Sequence, residues 1–262
     1  MSERKTGLGI WLRSLLFVLL YNLMGITHSL FCLLFAPFQS FEQRYRFINL
    51  WTRATMWLLR HLNGVHIEVE GLENIPAGQP VVIMANHQSQ WETFYLQLLV
   101  SPQATILKRE LLWVPFFGWA LALLKPIAID RKKPSQALKT ILRAGEQRLK
   151  DGISVTIFPE GTRQAPGTLG RFNNGGAMLA CRAGVPILPV VHNSGDCWPA
   201  RSLLRYPGTI RLRICKSIKT EGKRARQVND ETRQVIESAF YTLGPLSESP
   251  ETSHANRCSK QA

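Results

Sequence analysis

Val81-Val82-Ile83-Met84-Ala85-Asn86-His87-Gln88-Ser89-Gln90-Trp91-Glu92 is the stretch on which the reading of this chain turns. The first five residues are apolar and three of them are β-branched, the pattern of a short strand buried on both faces. The run ends abruptly in polar residues, with an imidazole and a carboxylate five positions apart. Chemistry placed at the exit of a buried strand belongs to parallel sheets, whose sites collect at the carboxyl ends of strands.

Outward from this stretch the pattern repeats. After Asn63-Gly64, apolar runs predict strands at 65–70, 81–85, 104–108, 126–130, 154–158, 187–192 and 209–215. Amphipathic stretches predict helices at 90–100, 113–124, 134–150, 174–183 and 229–242. This alternation implies an α/β fold, a largely parallel sheet flanked by helices. The expected organisation is a membrane-associated helical segment over 1–62, an α/β domain over 63–245 and a disordered polar tail over 246–262.

Residues 15–36 read LLFVLLYNLMGITHSLFCLLFA, 22 residues without Asp, Glu, Lys or Arg. That length crosses a bilayer. Asn22, Gly25, Thr27, His28 and Ser29 interrupt it, which leaves open a single span or two short half-buried helices around a break. Arg4, Lys5 and Arg13 precede the segment, and no small-residue cleavage site follows it. In the next stretch Arg46, Arg53 and Arg60 recur every seven residues among Phe47, Leu50, Trp51, Ala54, Trp57 and Leu58. A helix with this pattern suits the headgroup–acyl boundary, and equally suits packing against the domain.

Lys and Arg number 32 against 18 Asp and Glu in 262 residues, a net charge of +14. Such an excess favours anionic partners, either phosphate-bearing substrates or an acidic membrane surface. The basic residues are scattered and no nucleic-acid motif accompanies them, so nucleic acid is not an expected partner. Five widely spaced cysteines give neither a disulfide framework nor a metal-site spacing. No bound metal is expected.

Ser89 and Glu92 have the form of a capping box, with Ser89 as N-cap and Glu92 reaching back to its N–H. That alone explains Glu92 structurally. The same geometry places an ionised carboxylate where it can orient His87, whose other ring nitrogen is then free to act as a base. A second motif, Phe158-Pro159-Glu160-Gly161-Thr162-Arg163, follows another apolar run. Pro159 and Gly161 shape a tight turn, Arg163 offers a bidentate fork to phosphate, and Glu160 can accept from a hydroxyl or hold an arginine. A plain surface turn with a salt bridge has the same composition.

Together these residues resemble the glycerolipid acyltransferase family that includes 1-acylglycerol-3-phosphate acyltransferases. The blocks Asn86-His87 with Glu92, Lys108-Arg109-Glu110-Leu111, Ile127-Ala128-Ile129-Asp130-Arg131, Phe158 through Arg163, and Val185-Pro186-Ile187-Leu188-Pro189-Val190 occur in that family's order over about 65–215. The resemblance implies acyl transfer from acyl-CoA or acyl-carrier protein to the sn-2 hydroxyl of lysophosphatidate, giving phosphatidate. It implies His87 as general base, Glu92 as its partner, and Arg131, Glu160, Gly161, Thr162 and Arg163 around the acceptor. No cofactor is implied beyond the donor. The substrates imply a protein of the bacterial inner membrane, with its catalytic domain on the cytoplasmic face among membrane phospholipids. Another lysolipid acceptor, or a non-catalytic lipid-binding role, is the alternative. Two positions depart from the family pattern. Glu92 stands where Asp is usual, and Phe172-Asn173-Asn174-Gly175 stands where relatives often carry lysine.

Overall fold

A computed structural model describes residues 7–243; Arg4, Lys5 and the tail over 246–262 lie outside the described residues. Helices α1 (Leu8–Phe35) and α2 (Phe41–Asn63) precede strand β1 (Val65–Glu70) and strand β2 (Val82–Ala85). Helix α3 (Trp91–Leu99), strand β3 (Gln103–Lys108), helix α4 (Phe117–Ala122), strand β4 (Ile127–Ile129) and helix α5 (Pro134–Lys150) follow. Strand β5 (Ser154–Ile157), helix α6 (Gly175–Ala183), strands β6 (Ile187–His192) and β7 (Gly208–Ile214), and helix α7 (Ala225–Thr242) complete the chain.

The strands form one sheet in the order β1-β7-β6-β2-β5-β3-β4, parallel at every junction except β6 against β7. Side chains alternate across it, as the pleat requires. Val82 and Met84 of β2 face a core with Ile141 of α5, Leu179 of α6 and Ile236 of α7. Ile83 and Ala85 face the opposite core with Phe17 of α1, Leu59 of α2 and Trp91 of α3. Every described residue of β2 is buried, so the apolar run is explained by helices on both faces. Helix α6 lies close to the sheet because Gly176 has no Cβ; one placed there would sit 2.9 Å from Met84 Sδ and Ile157 Cγ2.

The N-terminal segment is one uninterrupted helix, which decides between the two readings left open by its polar middle. Those polar residues do not break it. Asn22 donates back to the Val18 carbonyl at 2.7 Å and Thr27 to Leu23 at 2.9 Å, so neither exposes an unpaired amide or hydroxyl to the apolar surroundings. Gly25 packs on Trp51, and His28 donates through Nε2 to the Phe47 carbonyl at 3.1 Å. Gly25 and His28 thus lie in the seam with α2, while Asn22 and Thr27 are exposed. Leu8–Phe38 is long and apolar enough to cross a membrane, with a mean hydropathy of 1.8.

Helix α2 begins at a capping box, with Ser40 Oγ accepting from Gln43 N and Gln43 Oε1 from Ser40 N, and ends at left-handed Gly64. Its faces differ in burial. Tyr45, Asn49, Met56 and Leu59 are buried, whereas Arg46, Arg53 and Arg60 stand exposed beside Leu50 and Trp57. Helix α4 is shorter than the predicted 113–124. Arg109–Trp113 forms a 3₁₀ turn, and Pro115 interrupts before Phe117. Helix α7 starts at Ala225, earlier than the expected 229, because Gln227 reaches back to the Arg224 N–H at 3.0 Å and caps an additional turn.

Candidate active site

Parallel pairing of β2 with β5 sets Met84 beside Ile157, so the segments leaving the two strands emerge together although 73 positions separate His87 from Glu160. The second segment then clamps the first. Glu160 Oε2 accepts the His87 backbone N–H at 2.7 Å, and the Gln164 N–H donates to the His87 carbonyl at 2.7 Å. The Phe158 ring stacks on the imidazole with centroids 4.3 Å apart and planes 18° from parallel. Backbone position and ring plane of His87 are therefore both held from β5.

The ring nitrogens have different surroundings. Nδ1 lies 2.8 Å from Glu92 Oε1. A carboxylate only accepts, so Nδ1 carries the proton. Nε2 has no hydrogen-bond partner among the described residues. Glu92 is fully buried and accepts five hydrogen bonds: from His87 Nδ1, Gln88 N and Ser89 N on Oε1, and from Ser89 Oγ and Ser194 Oγ on Oε2. Burial pushes its carboxyl upward; the imidazoles of His192 and His87 and the Ser89 N–H outweigh that and hold it well below the usual carboxylate range. Only half of the expected capping box forms. Glu92 takes the Ser89 N–H, but Ser89 Oγ accepts from Trp91 N at 2.8 Å, and the N-cap is Gln90. Glu92 is both a cap and the partner of His87.

Glu160 is drawn into the frame of the site. Its second oxygen accepts from Gly170 N at 2.8 Å, and burial pushes its carboxyl above the usual value against the pull of the two N–H groups. The Pro159–Gly161 turn is tight, as expected. Gly161 has φ +71° and donates to the Phe158 carbonyl at 3.0 Å. Asn173, in the segment that departs from the family pattern, closes this turn: its backbone N and Nδ2 both donate to the Pro159 carbonyl, at 2.9 and 2.8 Å.

Beyond the turn, Thr162 is exposed and Arg163 half-buried. Arg163 forms no ion pair with a described residue, and its Nε is buried without a partner. Burial depresses its pKa, Glu92 opposes this, and the Arg131 guanidinium adds to it, so two cations lie within electrostatic range of one another. Arg131 itself is exposed just past β4, on the rim of a groove of about 560 Å³ that it shares with Phe158 and Gly161. Ile106, Leu138, Ile141 and Met178 give the groove an apolar wall. Of the residues singled out from sequence, His87, Glu92 and Glu160 form one hydrogen-bonded unit. Gly161, Thr162 and Arg163 continue from it, and Arg131 lines one groove with Gly161.

Sequence reasoning passed over the last residue of β6 and the turn after it. Asn86 pairs with it through both amide atoms, Oδ1 accepting from His192 N at 3.0 Å and Nδ2 donating to His192 O at 2.9 Å. The side chain thereby continues the β2–β6 ladder beyond its last backbone pair. His192 is fully buried, and burial lowers its pKa. Its Nε2 donates to the Asn86 carbonyl at 2.8 Å.

A buried imidazole–carboxylate pair thus stands at the end of a parallel strand, near an arginine whose Nε has no partner among the described residues. A family model described as Acyltransferase matches residues 66–193. The 1-acyl-sn-glycerol-3-phosphate acyltransferase of Pseudomonas aeruginosa is 44% identical over 239 residues, covering 90% of this chain and 93% of that one. The enzyme of the same description from Saccharomyces cerevisiae is 30% identical over 249 residues, covering 92% and 79%. The crystal structure of the 1-acyl-sn-glycerophosphate acyltransferase PlsC from Thermotoga maritima superposes with a TM-score of 0.75 at 24% identity, over 89% of this chain and 96% of that one, and shares the fold. The chain belongs to the 1-acyl-sn-glycerol-3-phosphate acyltransferase family.

Proposed function

We propose that the protein transfers a fatty acyl group from acyl-CoA or acyl-carrier protein to the sn-2 hydroxyl of 1-acylglycerol-3-phosphate, yielding phosphatidate. The observation that carries this reading is the division of labour on His87: Nδ1 is bonded to a buried carboxylate, and Nε2 has no partner among the described residues. Nε2 takes the proton of the acceptor hydroxyl as its oxygen attacks the thioester carbonyl carbon. Ionised Glu92 stabilises the imidazolium that forms. The carbon–sulfur bond breaks, and the imidazolium returns the proton to the departing thiolate. A thioester is already a good electrophile, so the reading needs neither a covalent enzyme intermediate nor a metal.

Arg163 supplies the phosphate contact in this reading, supported by its unpartnered Nε, and Arg131 assists from the groove it lines with Gly161. Thr162 and Gly161 shape the acceptor side of the turn. Glu160 serves by fixing His87 and Gly170. The groove beside Phe158 has the apolar wall that an acyl chain requires.

The same reading places the protein on the cytoplasmic face of a bacterial inner membrane. Helix α1 buries Phe17 and Cys32 against the rest of the chain and exposes Leu12, Leu15, Leu19, Leu23, Phe31 and Leu34. An apolar stripe of that length, next to the exposed arginines of α2, suits a domain held against acyl chains and lipid phosphates. Incubation of the purified protein with lysophosphatidate and either donor, with product read by mass spectrometry, tests the reaction. Phosphatidate formation with at least one donor is the expected result; none with either removes the reading.

A further inference from the structure

The carboxylate of Glu92 is held from a part of the chain that the two motifs do not contain. Ser194 follows β6 and lies 102 positions from Glu92, yet its Oγ is 2.8 Å from Glu92 Oε2, and both residues are fully buried. The acceptor is a carboxylate, so the serine hydroxyl must be the donor. Three further contacts fix the loop that presents it. Asn86 holds His192 through both amide atoms, Ser194 N donates to His192 Nδ1 at 3.4 Å, and Gly195 N donates to Gln88 Oε1 at 3.2 Å. The loop is thus built onto the residues on either side of His87.

The two carboxylate oxygens are not equally secured. Oε1 has the imidazole and two backbone N–H groups, whereas Oε2 has only the hydroxyls of Ser89 and Ser194. Ser89 belongs to the same local turn as Glu92 and moves with it. Ser194 is the anchor from outside that turn. An aspartate at position 92 would end about 1.5 Å short of the glutamate carboxylate, and so could not keep both His87 and Ser194 at hydrogen-bonding distance without a backbone shift.

We propose that Ser194 is a positioning residue for acyl transfer: its hydroxyl anchors Glu92 Oε2 so that Oε1 stays on His87 Nδ1, and the longer acid of this chain depends on that anchor. The inference rests on the reading of His87 as the base. It concerns orientation of the base rather than substrate binding, so it separates kcat from KM. A hydrogen bond to a buried charge also keeps Glu92 the weaker base of the pair, leaving the transferred proton on the imidazole.

The test uses the full chain and five forms: wild type, S194A, E92D, the double variant, and H87A. Expected for S194A is a kcat about 10-fold or more below wild type, the fold-change of a lost charge-assisted hydrogen bond, with KM for lysophosphatidate unchanged. In the E92D background the same serine change should alter kcat by less than about twofold, since coupled residues are non-additive. An unchanged kcat in S194A, an equal loss in both backgrounds, or a loss that follows unfolding at the assay temperature would overturn the inference. An E92D chain without turnover would show that the reach of the acid is indispensable, and the S194A kcat against KM then decides alone. Full activity in H87A would instead overturn the reading of the site on which the inference stands.

Discussion

Glu160 and His87 are joined by a hydrogen bond from a backbone N–H to a side-chain carboxylate, 2.7 Å long, although 73 positions lie between them. The residue that the motif offers as a substrate contact therefore holds the main chain of the proposed base. Replacing it with alanine leaves the buried N–H of His87 and the part-buried N–H of Gly170 without this acceptor. Glu160→Ala should lower stability by about 1–3 kcal/mol through the buried His87 N–H. Thermal unfolding in detergent measures this, and a melting curve identical to wild type would contradict it.

His87→Ala removes the proposed proton acceptor together with its bond to Glu92 and its stack on Phe158. Turnover should fall on the order of 10²-fold or more while the protein stays folded. Steady-state rates alongside a far-ultraviolet spectrum check both halves of the statement.

Arg163 forms no ion pair with a described residue, so its removal should act chiefly on the acceptor. Arg163→Ala should raise KM for lysophosphatidate roughly 10- to 100-fold, the loss of a charge-assisted contact, with little change in KM for the donor. Arg163→Lys should recover only part of this because an ammonium cannot fork. An equal rise in both Michaelis constants would place the residue elsewhere.

Glu92 gives a pH dependence whose sign follows from its environment. Its carboxyl titrates lower in the folded chain than the ordinary value of 4.5, so the unfolded chain binds the extra proton first. The stabilisation is complete above that ordinary value and is lost as pH falls toward the depressed folded one. Glu92→Gln should therefore be less stable than wild type near neutrality, and the gap should narrow on acidification below about pH 4.5. A gap that stays constant with pH would show that Glu92 contributes nothing through its charge.

Much of this was legible in the residues, and the parts that were not have a common cause. The strands were visible because burial on both faces demands unbroken apolar runs such as Val82-Ile83-Met84-Ala85. His87 and Glu92 were visible because five positions of local chain join them. Ser194 was not, since nothing in its own neighbourhood marks it. Its role follows from β6 lying beside β2, a relation fixed by sheet order. The N-cap falls at Gln90 rather than Ser89, while Ser89 Oγ accepts from Trp91 N and donates to Glu92 Oε2. The continuity of α1 was likewise a tertiary matter: Gly25 and His28 look like interruptions until α2 is laid against them.

The pairing of β2 with β5 on one side and β6 on the other has a kinetic consequence. Its paired residues lie 73 and 105 positions downstream, and β1 waits for β7 at the far end of the domain. Nothing resembling the finished constellation exists in a partly synthesised or partly refolded chain, because loop closure over such distances precedes any reward from contact. Catalytic competence should thus emerge late and all at once during refolding, in step with the last strand to dock, and should vanish with the first to leave.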